Sequence, residues 1–201
     1  MPIIRFLRYR CCGSTQDLCI PGDDGALGCA AATLTVSTGP HESYDEVCAV
    51  REMTGGPRPT PDRAGVMAVV LALSHALGAV ERALSERSLS LQEFDDNRDN
   101  RDYSRLGRAT VEIHILSDSE YAIHGLRSWV PQWRRSGFLG PAANPDLWTD
   151  IMDLEEELDD IADVEYTYVP VNHTHIKMAH EVCRGNIEEQ FQVLAHRVSR
   201  A

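Results

Sequence analysis

The sequence predicts a mixed α/β fold, a five-stranded mixed sheet flanked by helices. Two observations carry that expectation: five short runs of β-branched, apolar or alternating residues, and a long segment between the third and fourth run that is apolar on most faces of a helix. The runs are Ile3–Tyr9, Leu27–Val36, Glu46–Met53, Val111–Leu116 and Val164–Val169, the last alternating around Tyr166 and Tyr168. Asp62 stands where an N-cap would start the long helix, whose broad apolar surface places it at the centre of the molecule. Further helices are expected from Ser119, from Pro145, whose fixed φ suits a first turn, and near Ile176.

Composition sets the frame. The 201 residues, 43% of them hydrophobic, suffice for one sizeable core, so a single domain over 1–201 is expected. No apolar run is read as approaching bilayer-spanning length, which implies a soluble chain with no membrane partner. The six cysteines show no paired CxxC spacing and no signal peptide is read, so reduced thiols and an intracellular location in cytoplasm, nucleus or mitochondrion are expected. Arg5, Arg8 and Arg10 precede any acid, as in a mitochondrial presequence, but Ile3–Tyr9 is needed as a strand.

The net charge of -12 argues against a nucleic-acid partner until its distribution is considered. Residues 150–163 hold eight acids and no base, two thirds of the net charge. A solvated face of an acidic helix over 150–163 is the preferred reading, with a docking surface for a protein partner as the alternative. The Asp95–Arg108 stretch is rich in both charges and poor in apolar residues, and reads as a mobile loop.

Asp118 ends the Val111–Leu116 run and begins Asp118-Ser119-Glu120-Tyr121. Upstream lie Cys12-Gly13-Ser14, Gly28-Cys29-Ala30 and Asp62-Arg63-Ala64-Gly65-Val66; downstream come Trp129-Val130-Pro131-Gln132-Trp133-Arg134-Arg135, Asn144-Pro145-Asp146-Leu147-Trp148 and Ala179-His180-Glu181-Val182-Cys183. In this order, from Ile3 to about Gly185, these segments resemble type 1 ribonuclease H, especially its fungal-like members. The resemblance implies the ribonuclease H-like fold and a site in which four carboxylates hold two Mg²⁺ ions that cut the RNA strand of an RNA/DNA hybrid. Of those four positions, Asp118 keeps its carboxylate, while Cys12, Gly65 and His180 stand at the other three.

In-line hydrolysis by paired Mg²⁺ ions needs hard oxygen ligands that fix the two ions about 4 Å apart. Cys12 offers a soft sulfur, Gly65 no side chain and His180 a nitrogen, so no resident cofactor is expected; an active enzyme would need Mg²⁺ or Mn²⁺ held by relocated ligands. Two other readings stand beside this one. Asp118 is an ordinary N-cap of the helix after it, or Cys12, Asp118 and His180 converge on a softer site of the kind Zn²⁺ accepts.

The resemblance also implies a phosphate-binding set at Arg58, Thr60 and Asn144, and a channel for the DNA strand at Trp129 and Trp133 with Arg134 and Arg135 beside them. Trp129 and Trp133, four apart on a helix, fit core packing equally well. Pro61-Asp62 replaces the family's pair of amide side chains that read RNA 2′-hydroxyls. His173 or His175 stands where active members carry a mobile histidine. The expectation is a catalytically degenerate ribonuclease H-like protein, a pseudoenzyme that binds RNA/DNA hybrid or duplex without efficient cleavage. The alternatives are an active hybrid endonuclease and a protein-interaction scaffold.

Overall fold

The computed structural model describes residues 6–17, 26–37, 43–53, 57–95, 111–137, 143–173 and 176–198. Its strands are β1 (Phe6–Asp17), β2 (Ala26–Ser37), β3 (Ser43–Glu52), β4 (Val111–Ser117) and β5 (Ala162–Tyr168). They form one sheet in the order β3-β2-β1-β4-β5. β1 pairs antiparallel with β2 and parallel with β4, and β4 pairs parallel with β5, so the sheet is mixed and β1 is its centre. β1 runs well past the expected Tyr9, because β2 supplies backbone partners as far as the Asp17–Ala26 pair.

β2 shows why its sequence is almost continuously apolar. Ala30, Ala32 and Leu34 join the core beneath the long helix, while Cys29 and Ala31 on the alternate face pack with Ala179, Cys183 and Ile187 of the last helix. A strand covered on both faces has no polar side to display. Cys29 and Cys183 are free thiols buried in this second core, and their proximity and burial push the Cys29 thiol far above its usual range.

The long helix α1 (Pro61–Asp95) packs on β1, β2 and α4. Its N-cap is Thr60, not Asp62: Thr60 Oγ1 accepts the Arg63 N–H at 3.1 Å and the Thr60 carbonyl accepts the Ala64 N–H at 2.9 Å. Pro61 suits the first helical position, and Asp62 instead places its charge in the first turn, where the helix dipole favours it. Pro61–Arg82, 22 residues of mean hydropathy 1.7, is long and apolar enough to cross a membrane, contrary to the expectation that no run approaches that length. Here Val66, Val69, Ala72, Leu73, Ala76 and Val80 bury that apolar surface against the sheet and α4.

After β4 come α2 (Glu120–His124), a π-turn at Gly125–Trp129 and α3 (Val130–Ser136), which Gly137 ends in the left-handed conformation at φ 64. α4 (Pro145–Asp159) buries Leu147, Trp148, Ile151 and Leu158, with Leu154 partly buried beside them. The acidic stretch is not one helix. α4 stops at Asp159, Asp160 caps it, and Asp163 lies in β5. Seven of its eight acids are exposed; Glu155 turns inward, accepts from the Tyr166 hydroxyl at 2.5 Å, and has its carboxyl pushed up by burial. α5 (Lys177–Val198) closes the second face of the sheet.

Residues 96–108 of the expected loop, Ile3–Arg5 of the first strand run, and His175 lie outside the described residues.

Candidate nucleic-acid interface

β4 delivers Asp118 to the point where the sheet ends and α2 begins. The residue that caps α2 is Ser119, whose Oγ accepts the Ala122 N–H at 3.2 Å, so Asp118 is not the N-cap. The Asp118 carboxylate is spent differently: its Oδ2 lies 2.7 Å from Nε2 of His180 on α5. Both side chains are well shielded, 12% and 29% exposed, which strengthens their contact over a surface pair. His180 thus ties the last helix to the end of β4.

Gly65 sits on α1 against the same junction. A Cβ built on it would lie 2.3 Å from Ser119 Oγ and 2.5 Å from Ser119 Cβ. Helix-interior glycine ordinarily costs about 1 kcal/mol relative to alanine, and here it permits the close approach of α1 to the β4–α2 corner. The position therefore has no space for a carboxylate side chain unless that corner moves. Cys12 is placed by register alone: the β1–β4 pairing runs to Cys11–Ser117, one residue short of the Cys12 and Asp118 positions, and Cys12 pairs with Ala31 of β2. The described side chains contain no group of three or more His, Cys, Asp or Glu residues arranged to hold a metal ion.

A cleft of about 620 Å³ opens beside Asp118, with Gly65, Ser119, Tyr121, His124 and Trp129 in its walls. Asp62, Asp118 and Glu120 are its acidic lining. Of the expected phosphate set, Arg58 and Thr60 stand exposed just before α1, and Asn144 just before α4. Arg63, which the sequence reading passed over, assembles two of them: its backbone N–H reaches Thr60, and its Nη1 donates to Asn144 Oδ1 at 3.2 Å. Its side chain is 8% exposed and forms a two-pronged pair with Asp146, at 2.9 and 2.5 Å. Asn144, at φ 64, precedes α4 with its amide oxygen turned to Arg63, which directs the Nδ2 donors away from the guanidinium. A buried arginine beside an Asn-Pro-Asp turn was the available signal, but nothing in the sequence pairs residues so far apart.

The Arg63 hydrogen bond holds the Asp146 carboxyl below the usual carboxylate range. A depressed folded-state pKa stabilises the protein above the unfolded value and loses that stabilisation as pH falls through the folded one. Urea midpoints measured downward from pH 5 should therefore fall more for the wild type than for Asp146→Asn. Since Asp146 is 52% exposed, solvent screening limits the effect to about 1 kcal/mol or less.

Trp129, Trp133 and Trp148 form an aromatic cluster with Tyr121 and His124. Trp129 packs at 5.1 Å from Tyr121, 5.3 Å from His124, 5.9 Å from Trp148 and 6.1 Å from Trp133, centroid to centroid. Trp148 is fully buried, whereas Trp129 and Trp133 are part-exposed, so the expected choice between packing and surface resolves into both. Of the two, Trp129 lines the cleft. The π-turn makes this arrangement possible by bringing Gly125 onto the Trp148 ring, where a Cβ would meet Cη2 at 2.2 Å. Arg134 is directed elsewhere. It pairs with Glu155 of α4 at 2.9 Å, beside Leu126, Val130 and Pro131. Arg135 donates to the Pro131 carbonyl.

No family model matches the chain. Solved structures share its architecture. A type 1 ribonuclease H with the type 2 active-site motif aligns at a TM-score of 0.56 and 16% identity over 91% of this chain and 73% of that one. The ribonuclease H domain of prototype foamy virus aligns at 0.58 and 13% identity, over 90% of this chain and 94% of the domain. The foamy viral protease-reverse transcriptase in complex with RNA/DNA hybrid aligns at 0.58 and 16% identity, over 92% of this chain and 20% of that protein. The chain thus has the ribonuclease H fold. Curated sequences match in part: the ribonuclease H of Thermosynechococcus vestitus is 33% identical over 92 residues, covering 44% of this chain and 48% of that protein. The ribonuclease HI of Streptomyces coelicolor is 32% identical over 62 residues, covering 31% of this chain and 27% of the relative. The chain spans half or less of the length of these curated relatives.

Proposed function

We propose that this chain is a catalytically degenerate ribonuclease H-like protein that binds nucleic acid, RNA/DNA hybrid or duplex, without efficient cleavage. The observation that carries the reading is the 2.7 Å contact between Asp118 and His180. A pair of Mg²⁺ ions needs several anionic oxygens, and this site does not fit one: its retained carboxylate is occupied by an imidazole, and Gly65 is closed off by Ser119. The Cys12 thiol that would complete a Zn²⁺ site with Asp118 and His180 is a soft donor, unsuited to Mg²⁺.

The grip on phosphate is better provided for than the chemistry. Thr60 and Asn144 are held together by Arg63, Arg58 is exposed two residues before Thr60, and Trp129 offers a ring at the cleft edge. Such donors position a backbone, and an indole face stacks on bases or sugars. Foamy viral protease-reverse transcriptase structures that share this fold contain RNA/DNA hybrid in one case and double-stranded DNA in another, which supports a nucleic-acid ligand.

Purified protein incubated with a labelled RNA/DNA hybrid in Mg²⁺ or Mn²⁺ tests both parts. Binding that weakens with added salt and with Arg58→Ala, and no cleavage, are expected. Cleavage that disappears in Asp118→Asn overturns the degenerate reading. Absence of binding at low salt overturns the nucleic-acid reading in favour of a scaffold that docks a protein partner.

A further inference from the structure

We infer that the first two turns of α5 form a phosphate-binding site that needs no metal ion, placed where a metal-dependent enzyme would recruit divalent cations. The inference rests on the nucleic-acid reading and specifies how a backbone is held beside Asp118. A second cleft, of about 420 Å³, is lined by Val171, Lys177, His180, Glu181 and Arg184. Lys177, His180 or Glu181, and Arg184 recur at the spacing that brings helical side chains onto one face. Lys177 and Arg184 are exposed, and against them stands the single carboxylate of Glu181, which leaves the lining with one net positive charge when His180 is neutral.

Two features favour an anion there. Lys177 is the first residue of a 22-residue helix whose first turn contains no acid. A cation at that end opposes the helix dipole, so the local field is positive twice over, from the backbone N–H groups and from the ammonium. The second feature is the His180–Asp118 contact. It engages one oxygen of the Asp118 carboxylate, itself 12% exposed, with the imidazole that lines the second cleft, so that this carboxylate is shielded at the end of β4. The acidic main cleft begins at Asp118, the other member of that pair. A phosphodiester chain that leaves this cleft past His180 would then meet Lys177 and Arg184 with no metal ion between them.

The experiment measures binding of a labelled RNA/DNA hybrid to the full chain in EDTA, across a salt series. The wild type is expected to bind without any divalent cation. Lys177→Ala with Arg184→Ala should lower affinity roughly tenfold per lost contact near 0.1 M salt and reduce the slope of log K against log salt by about 2. Glu181→Gln should move affinity upward, a direction that damage to the fold would not produce. Arg82→Ala, which removes one exposed positive charge from α1, should leave the slope within the scatter of the wild type. Wild-type binding with an unchanged slope in the double variant overturns the α5 site and leaves the nucleic-acid function standing. Wild-type binding that EDTA abolishes does the same. Failure of the wild type to bind hybrid under any of these conditions removes the function itself.

Discussion

Trp148→Ala is expected to lower the unfolding free energy by about 3–5 kcal/mol, among the largest effects that a single side chain can have here. Trp148 is fully buried in α4, packs 5.9 Å from Trp129 and 5.7 Å from Trp133, and donates its Nε1–H to the Ala143 carbonyl at 3.1 Å. Its removal opens a cavity that Gly125 cannot fill and frees the turn that holds Asn144. For a domain of this size the melting temperature should fall by roughly 6–20 °C. Trp148→Phe keeps most of the volume and loses the hydrogen bond, and should cost distinctly less. Urea unfolding of the three proteins checks the order. A loss below about 1 kcal/mol for the alanine variant would show that the aromatic cluster is not the anchor of α3 and α4. The alanine variant should also bind hybrid more weakly, because Trp129 loses its backing.

Gly65→Glu, which places a carboxylate on α1 against the β4–α2 corner, is expected to destabilise the protein and to create no metal site. Its Cβ would fall within 2.5 Å of the Ser119 side chain, whose Oγ caps α2, so either the corner shifts or the cap is lost. Overpacking costs about 1–3 kcal/mol and loss of a serine cap about 1 kcal/mol. Ser119→Gly in the same chain should recover most of the overpacking while still forfeiting the cap, a coupling that a double-mutant cycle measures directly. Mn²⁺ binding, followed calorimetrically, should remain undetectable in Gly65→Glu while His180 still engages Asp118. Additive costs for Gly65→Glu and Ser119→Gly would sink the close-approach account of Gly65.

Much of the architecture was legible beforehand because it rests on local pattern. The alternation of β5, the apolar run of β2, Pro145 at the start of α4 and the breadth of α1 each fix an element within a few residues of its observed bounds. The misreadings have a common origin. Asp62 and Asp118 are both good capping residues by type, and both yield to neighbours, Thr60 and Ser119, whose side chains face the open N–H groups. The acidic run reads as one helix because charge carries no period of its own; the helix ends where Leu158 is buried and β5 must begin. The apolar length of α1 went unrecognised because isolated Ser74 and His75 break its run of hydrophobic letters without breaking its hydropathy.

By itself, the sequence determined which elements form and in what order, and singled out Asp118 at the end of β4, since each of these is a property of residue type and local spacing. Only the tertiary structure decided what those residues do. It paired Asp118 with His180 across 62 positions, showed Gly65 to be a contact glycine, joined Arg134 to Glu155, and made Arg63 the organiser of Thr60 and Asn144. The physical reason is that hydrogen bonds and close packing act over a few ångströms of space, a distance that chain separation does not encode until the sheet has brought β4, α1 and α5 to one corner.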